Sequence, residues 1–266
     1  MSEMRSARVP MLVWQLTLAI ALLLAWQLGS TFNLLDQFFF SRPSDVAVRV
    51  WRWTVTGTIW AHLLTTFTEA ALSFAIGAFL GVLLGFVLAR VQTLAALFEP
   101  FIRIANSLPR VVLAPIFLLW FGLGIWSKVA LGVTVVFFVV FFNTYRGVRE
   151  VDRVIVDNAR MLGASEHQLI WHVLIPSALT WIFSSLHVSI GLAIIAVVVG
   201  EYLGASRGIG YMIAQAEGVF DTTGVFAGMT VLAIGVLLVG ASVDRLERRL
   251  LRWKQPRTDS ASKEFA

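Results

Sequence analysis

The chain has 266 residues, of which 58% are hydrophobic and only 14% charged, with a mean hydropathy of +0.81. A soluble domain carries roughly a quarter charged residues, so composition excludes an ordinary soluble fold, and the absence of cysteine excludes disulfides and thiolate metal sites. A pI near 10.2 would suit nucleic acid, but the basic residues gather at the ends of apolar runs and in the C-terminal tail, which is a topology pattern and not a phosphate-reading surface.

Apolar runs long enough to cross a bilayer recur, and six spans can be drawn: 11–30, 61–89, 106–122, 126–145, 178–203 and 223–243. The expected fold is all-α, a single polytopic membrane helix bundle covering 1–266. Residues 1–60 form the first span and an external segment, 61–243 the core, and 244–266 a tail. Arg5 and Arg8 before the run Met11–Leu28 resemble a signal peptide, but the run is long and no small-x-small cleavage site follows, so it reads as a retained helix. Pro43 and Ser44 can then open a short helix carrying Val46, Val50, Trp51 and Trp53, a composition that suits a membrane interface.

The second span carries Gly77, Gly81 and Gly85, two overlapping small-xxx-small steps that let another helix approach closely. Its outer half holds His62, Thr65, Thr66, Thr68, Glu69 and Ser73. An ionisable group at membrane depth faces a cavity or a partner, so Glu69 reads either as part of a solute pathway or as a bonded group inside the bundle. In the next segment Pro109 and Pro115 break helical bonding within apolar sequence. Asn106 and Ser107 beside them could contact a solute.

Arg146–Pro176 is the one long polar run between spans. From Val148 to Leu162 apolar residues recur at helical spacing (Val148, Val151, Ile155, Ala159, Leu162), and Arg153 can pair with Asp157. Gly163 reads as a C-terminal cap, Ser165 with Gln168 as a capping box, and Pro176 as the first turn of a new span. The result is helix, glycine hinge, short helix, proline: either a solvated loop or a rigid charged protrusion fit for docking. In the fifth span Ser184, Ser185, His187 and Ser189 form a polar group, with Ser184 and His187 as candidate pathway residues. Glu201 follows among Gly200, Gly204, Gly208 and Gly210, glycines that permit tight turns and close backbone approach. The Arg-rich tail from Asp244 reads as an anchor at the lipid surface.

With the N-terminus inside, the segments 1–10, 90–105, 146–177 and 244–266 are cytoplasmic. Together with Arg110 they hold every one of the 21 Lys and Arg except Arg42, Arg49, Arg52, Lys128 and Arg207. The positive-inside rule therefore places both termini and the 146–177 protrusion in the cytoplasm.

The spacing Ala159, Gly163, Val173, Ile175, Pro176 resembles the cytoplasmic signature of ABC-importer permeases, with Asp157 and Asn158 where that family has Glu and Ala. The runs L-P-R, A-P-I and L-W-F-G-L-G-I-W-S-K, and V-V-V-G-E-Y-L-G-A-S-R-G-I-G-Y from Val197 to Tyr211, are similar to permeases of the nitrate, taurine, aliphatic sulfonate and bicarbonate group. The resemblance runs in order from about His62 to Gln215. It implies a type I ABC importer permease fold in a bacterial inner membrane and two copies forming a pathway. It also implies an extracytoplasmic solute-binding protein and separate ATPase subunits gripping a coupling element made of Asp157, Asn158, Ala159, Gly163, Val173, Ile175 and Pro176. One departure is Glu69, an acid where many relatives carry an arginine. It sets the implied sulfonate- or taurine-like anion against a cationic or neutral heterocycle.

The chain has no phosphate-cradling Gly-Lys-Ser/Thr loop, no H-E-x-x-H and no G-x-S-x-G. No catalytic residue, metal ligand or cofactor of its own is expected; ATP and Mg belong to the partner ATPase. Two rival classes are an ion-coupled secondary transporter driven through Glu69 or Glu201, for which no inverted repeat is visible, and an assembly scaffold using the protrusion as a docking knob.

Overall fold

A computed structural model describes residues 3–250, without the side chains of 3–10, 12, 153, 244 and 246–250. The Arg153–Asp157 pairing and the tail beyond 250 lie outside the described residues. The described chain is helical, without strands: α1 (Glu3–Thr31), α2 (Gln37–Phe40), α3 (Pro43–Val55), α4 (Thr58–Arg90), α5 (Gln92–Ser107), α6 (Ala114–Phe121), α7 (Ile125–Arg149), α8 (Arg153–Met161), α9 (Glu166–Leu169), α10 (Ile175–Leu203), α11 (Ile209–Gly218) and α12 (Thr222–Leu250). A 3-10 turn (Arg110–Leu113) precedes α6, and a π turn (Ile170–Leu174) joins α9 to α10.

Five helical runs are long and apolar enough to cross a membrane. The expected third span is instead a bent pair: α5 and the 110–121 segment meet at 91°. The physical reason is Pro109, which has no N–H to donate and drives Leu108 into extended backbone (ψ 130°). The fifth expected span starts earlier than 178. The helical run is unbroken from Glu166 to Leu203; Pro176 keeps its expected first-turn place in α10, but the run begins before it. The π turn just before Pro176 accommodates the missing N–H without a break.

α4 and α7 form the centre of the bundle. A Cβ added at Gly77, Gly81 or Gly85 would lie 2.8–2.9 Å from Val136, from the Phe137 carbonyl and Val140, or from the Phe141 carbonyl and Thr144. These three glycines therefore place α4 directly on the backbone of α7. α10 closes the third side through Ala193, Ile194 and Val197, packed on Ala70, Ala78, Val136 and Val140. Gly147 admits the Trp181 side chain from α10 in the same way, with its Cβ at 2.8 Å and its ring at 2.9 Å. Between helices in lipid there is little hydrophobic drive, so close packing of this kind supplies the association.

α3 is the expected short helix opened by Pro43. It is strapped to the start of α12 by an ion pair, Arg49 Nη1 to Asp221 Oδ2 at 2.5 Å, while Ser41 and Thr223 share a 2.7 Å hydroxyl bond and the Thr222 hydroxyl donates to the Phe38 carbonyl. Partial burial pushes the Asp221 carboxyl up, but Arg49 and the Gly224 N–H outweigh it and hold the group below the usual aspartate range.

Two outcomes are expected. Gly81→Leu cannot be accommodated against the Phe137 carbonyl and should lower the unfolding temperature of the purified protein sharply, whereas Gly240→Ala, with nothing within 4 Å, should leave it unchanged. Because Asp221 is depressed in the folded state, the strap contributes fully above the ordinary aspartate pKa and is lost as pH falls through the folded value. Arg49→Gln should therefore cost up to about 1 kcal/mol near neutrality, and its thermal-melt difference from wild type should vanish in acid.

Candidate functional site

The two ends of the bundle differ in kind. At the end where α4 and α7 begin and α10 finishes, a polar cluster is sealed inside the protein. Thr66, Glu69, Ser73, Lys128 and Glu201 are all at most 2% exposed. Its organising feature is the start of α11. The Gly208 N–H donates to His62 Nδ1 (3.0 Å), the Ile209 N–H to Thr66 Oγ1 (2.9 Å) and the Gly210 N–H to Glu201 Oε2 (2.7 Å). Three consecutive donors at a helix N-terminus thus meet three side-chain acceptors from α4 and α10. The anionic acceptor sits where the helix dipole favours it. The Thr66 hydroxyl donates in turn to Glu201 Oε1 at 2.6 Å.

The turn needs its glycines. Gly208 has φ +117°, and a Cβ there would overlap the Glu201 carboxylate; at Gly210 it would overlap the Val198 carbonyl. The E-Y-L-G-A-S-R-G-I-G run is therefore one device: a glutamate and two glycines that let the backbone rest on it.

Glu69 lies beside Glu201. Its Oε2 has no partner among the described residues. The compensating cation is Lys128, whose ammonium interacts with both carboxyl groups through space and donates to the Leu123 and Gly124 carbonyls at 2.8 and 3.0 Å. The sequence counts Lys128 among the external bases, at the head of the 126–145 span. The usable signal was a single lysine at the head of an apolar span, within reach of two buried acids.

The other end carries a protrusion. α7 stops at Arg149 and α8 starts at Arg153, so the apolar series from Val148 to Leu162 spans two helices. Val148 is buried on α7, whereas Ile155 and Leu162 are exposed. Asp152 caps α8 by accepting from the Val154 N–H at 2.8 Å. α8 ends at Gly163 (φ +82°), with Gly163 N–H bonded to the Arg160 carbonyl and Ala164 N–H to the Ala159 carbonyl, a Schellman closure. The Ser165–Gln168 capping box is present in both directions, at 3.3 and 2.8 Å. Glu166 then binds Arg90 of α4 (2.6 Å) and Arg160 of α8 (3.1 Å), tying the protrusion to the bundle. Asp157 and Asn158 are exposed on α8, Ala159 is half-buried, Val173 lies in the π turn, and Ile175 and Pro176 begin α10. Val154, Ile155, Met161 and Leu162 present an apolar surface outward, Leu162 at 89% exposure.

The six candidate pathway residues do not form one site. Glu69 and Glu201 belong to the sealed cluster. Asn106 accepts from Arg110 (2.6 Å) at the exposed end of α5, with Ser107 beside it turned onto the Ile104 carbonyl. Ser184 and His187 are exposed on α10, where His187 borders a small cleft of about 160 Å³ against α12.

Residues 77–254 match the family described as binding-protein-dependent transport system inner membrane component. The chain belongs to this family. The permease is 34% identical to the formylaminopyrimidine transport permease protein ThiX of Halalkalibacterium halodurans, over 73% of this chain and 78% of that protein. It is 30% identical to the taurine transport system permease protein TauC of Escherichia coli, over 89% and 88%. The inward-facing MetNI methionine ABC transporter shares the fold at TM-score 0.58 and 21% identity, covering 74% of this chain and 96% of that one. The permease is thus a multi-pass inner-membrane subunit of an ABC importer with the type I fold.

The cluster makes a graded prediction. Glu201→Leu leaves the Gly210 N–H and the Thr66 hydroxyl without their acceptor in a dry site and should cost about 2 kcal/mol or more. Glu69→Leu removes a carboxyl whose Oε2 is already unpartnered and should cost clearly less. Thermal unfolding of the detergent-purified permease ranks the two, and equal losses would refute this account of the cluster.

Proposed function

We propose that the permease forms, with a second copy of itself, the pathway of an ATP-driven importer. An extracytoplasmic binding protein delivers the solute, and a separate ATPase subunit, which holds ATP and Mg, drives the 153–176 protrusion from the cytoplasm. Both chain termini are cytoplasmic in this reading. The observation that carries it is the protrusion itself. It is capped at every helix end, tied to α4 through Glu166, and bears an uncovered apolar surface. A solvated loop needs none of these. Closure of the ATPase pair pushes Asp157, Asn158, Ala159 and Gly163 on one arm and Val173, Ile175 and Pro176 on the other. ATP shifts the pathway only as far as its affinity differs between the inward and outward states.

The solute favoured is a small sulfonate- or taurine-like anion, as for TauC. The heterocycle of ThiX favours a second reading, a cationic or neutral ring. Glu69 does not decide between them. It is buried within one chain and balanced by Lys128, so its sign bears on the bundle's internal charge and not on the solute.

Gly163→Arg tests the coupling. No neighbour lies within 4 Å, so the residue fits, but at φ +82° any side chain strains the backbone by roughly 1 kcal/mol. The hinge should shift while the chain still inserts. In proteoliposomes of the full complex, solute-stimulated ATP hydrolysis and uptake should both be lost at normal permease abundance. Wild-type uptake by this variant would count against the lever. A ligand screen on the binding protein with alkanesulfonates, taurine and aminopyrimidines decides the solute.

A further inference from the structure

A groove of about 590 Å³ runs between α5 and the final turns of α4 and α7. That volume falls within the range of small-ligand sites. The position is set by sequence. α5 turns Gln92, Glu99, Arg103 and Asn106 toward the groove, with Ala95 and Ala96 between them leaving room. Its opposite side carries Leu97, Phe98, Phe101 and Ile104, which are 46–65% exposed, and α5 has no buried residue. No element of the described chain covers that apolar side. An uncovered apolar helix face of this kind suits the lipid boundary.

The charge inside the groove is not balanced. Arg103 is paired with Glu99 at 2.6 Å. Arg146 and Arg149, in the last turn of α7, have no carboxylate partner among the described residues. Arg149 is held in place by Tyr145: its guanidinium donates to the phenol oxygen at 2.5 Å and stacks at 5.4 Å from the ring. Behind the arginines the floor is apolar, made by Leu88, Ile102, Phe141 and Phe142. A held guanidinium beside a second one, over an aromatic floor opening toward lipid, matches a ligand with a phosphate head and a hydrocarbon tail.

We propose that this groove binds an anionic phospholipid. The phosphate is gripped by Arg146 and Arg149, and an acyl chain lies along Phe141, Phe142 and the inner side of α5. The site is separate from the buried cluster at the opposite end and from the protrusion. Only the choice of leaflet, the cytoplasmic one, rests on the topology proposed above.

The test titrates the complete detergent-purified transporter with fluorescent phosphatidylglycerol, using the matching phosphatidylcholine as control. Wild type should bind the anionic probe and not the zwitterionic one. The double variant Arg146→Gln/Arg149→Gln should bind about thirty-fold more weakly. Arg146→Lys/Arg149→Lys, which keeps the charge, should bind better than the glutamine pair, and Arg52→Gln, on α3, should match wild type. Equal binding of both lipids, or no loss in the glutamine pair of an intact complex, would overturn the proposal. So would displacement of the probe by taurine or inorganic phosphate at the concentration that unlabelled lipid requires, since the groove would then hold a free anion. The uncoupled Gly163→Arg complex should bind lipid as wild type does, so loss of the coupling reading and loss of the lipid site give different results.

Discussion

The structure depends on how closely α4 and α7 approach. Two helices in lipid gain little from hiding apolar side chains, because the surroundings are as apolar as they are. What they gain is dispersion contact, and that falls away within a fraction of an ångström. Gly77, Gly81 and Gly85 remove the side chains that would hold the helices apart. Val136, Val140 and Thr144 fill the space this opens. α10 can seat Ala193 and Val197 against the pair only because the pair is narrow. The bundle is therefore a stiff body, and the features that vary in character are placed at its two ends.

α10 connects those ends. Its helical run is 38 residues, from Glu166 in the protrusion to Leu203 beside the buried cluster, a length of roughly 57 Å at 1.5 Å per residue. One terminus of this rod is pinned by Arg90 and Arg160 through Glu166, and the other by Thr66 and the α11 N-terminus through Glu201. No loop interrupts the run between the protrusion and the cluster. The compliant place is the π turn at 170–174 and Pro176, where backbone bonding is already irregular. Any bending of the rod is expected to fall there.

Much of this was legible in the sequence for identifiable reasons. Caps are local: Gly163 and the Ser165–Gln168 box involve contacts three residues apart, so the turn was readable without any tertiary knowledge. Helix approach was readable because glycines at four-residue spacing have few other uses in a span. Long-range electrostatics were not. Lys128 looked like one more external base because nothing local distinguishes a lysine that turns back into the bundle from one that faces water. The break between α7 and α8 was hidden because Val148, Val151 and Ile155 keep helical spacing across it. The capping Asp152 was the cue that outweighed the period. Pro109 announced a bend but not its size, and so the amphipathic α5 went unnoticed as a helix in its own right.

The buried cluster raises a question of cost. Replacing buried ionic groups with apolar ones is often neutral or better for stability, so stability alone does not account for three ionisable side chains buried in the bundle. The backbone does. Between α10 and α11 the chain must turn within the bundle, and a turn leaves N–H groups that lipid cannot satisfy. Gly208, Ile209 and Gly210 present three of them in sequence, and His62, Thr66 and Glu201 answer one each. An anion is the strongest acceptor for the start of a helix. Once Glu201 is there, a second carboxyl beside it calls for a nearby cation, and Lys128 is that cation. His62, Thr66 and Glu201 are then the consequence of making an irregular turn inside the bundle.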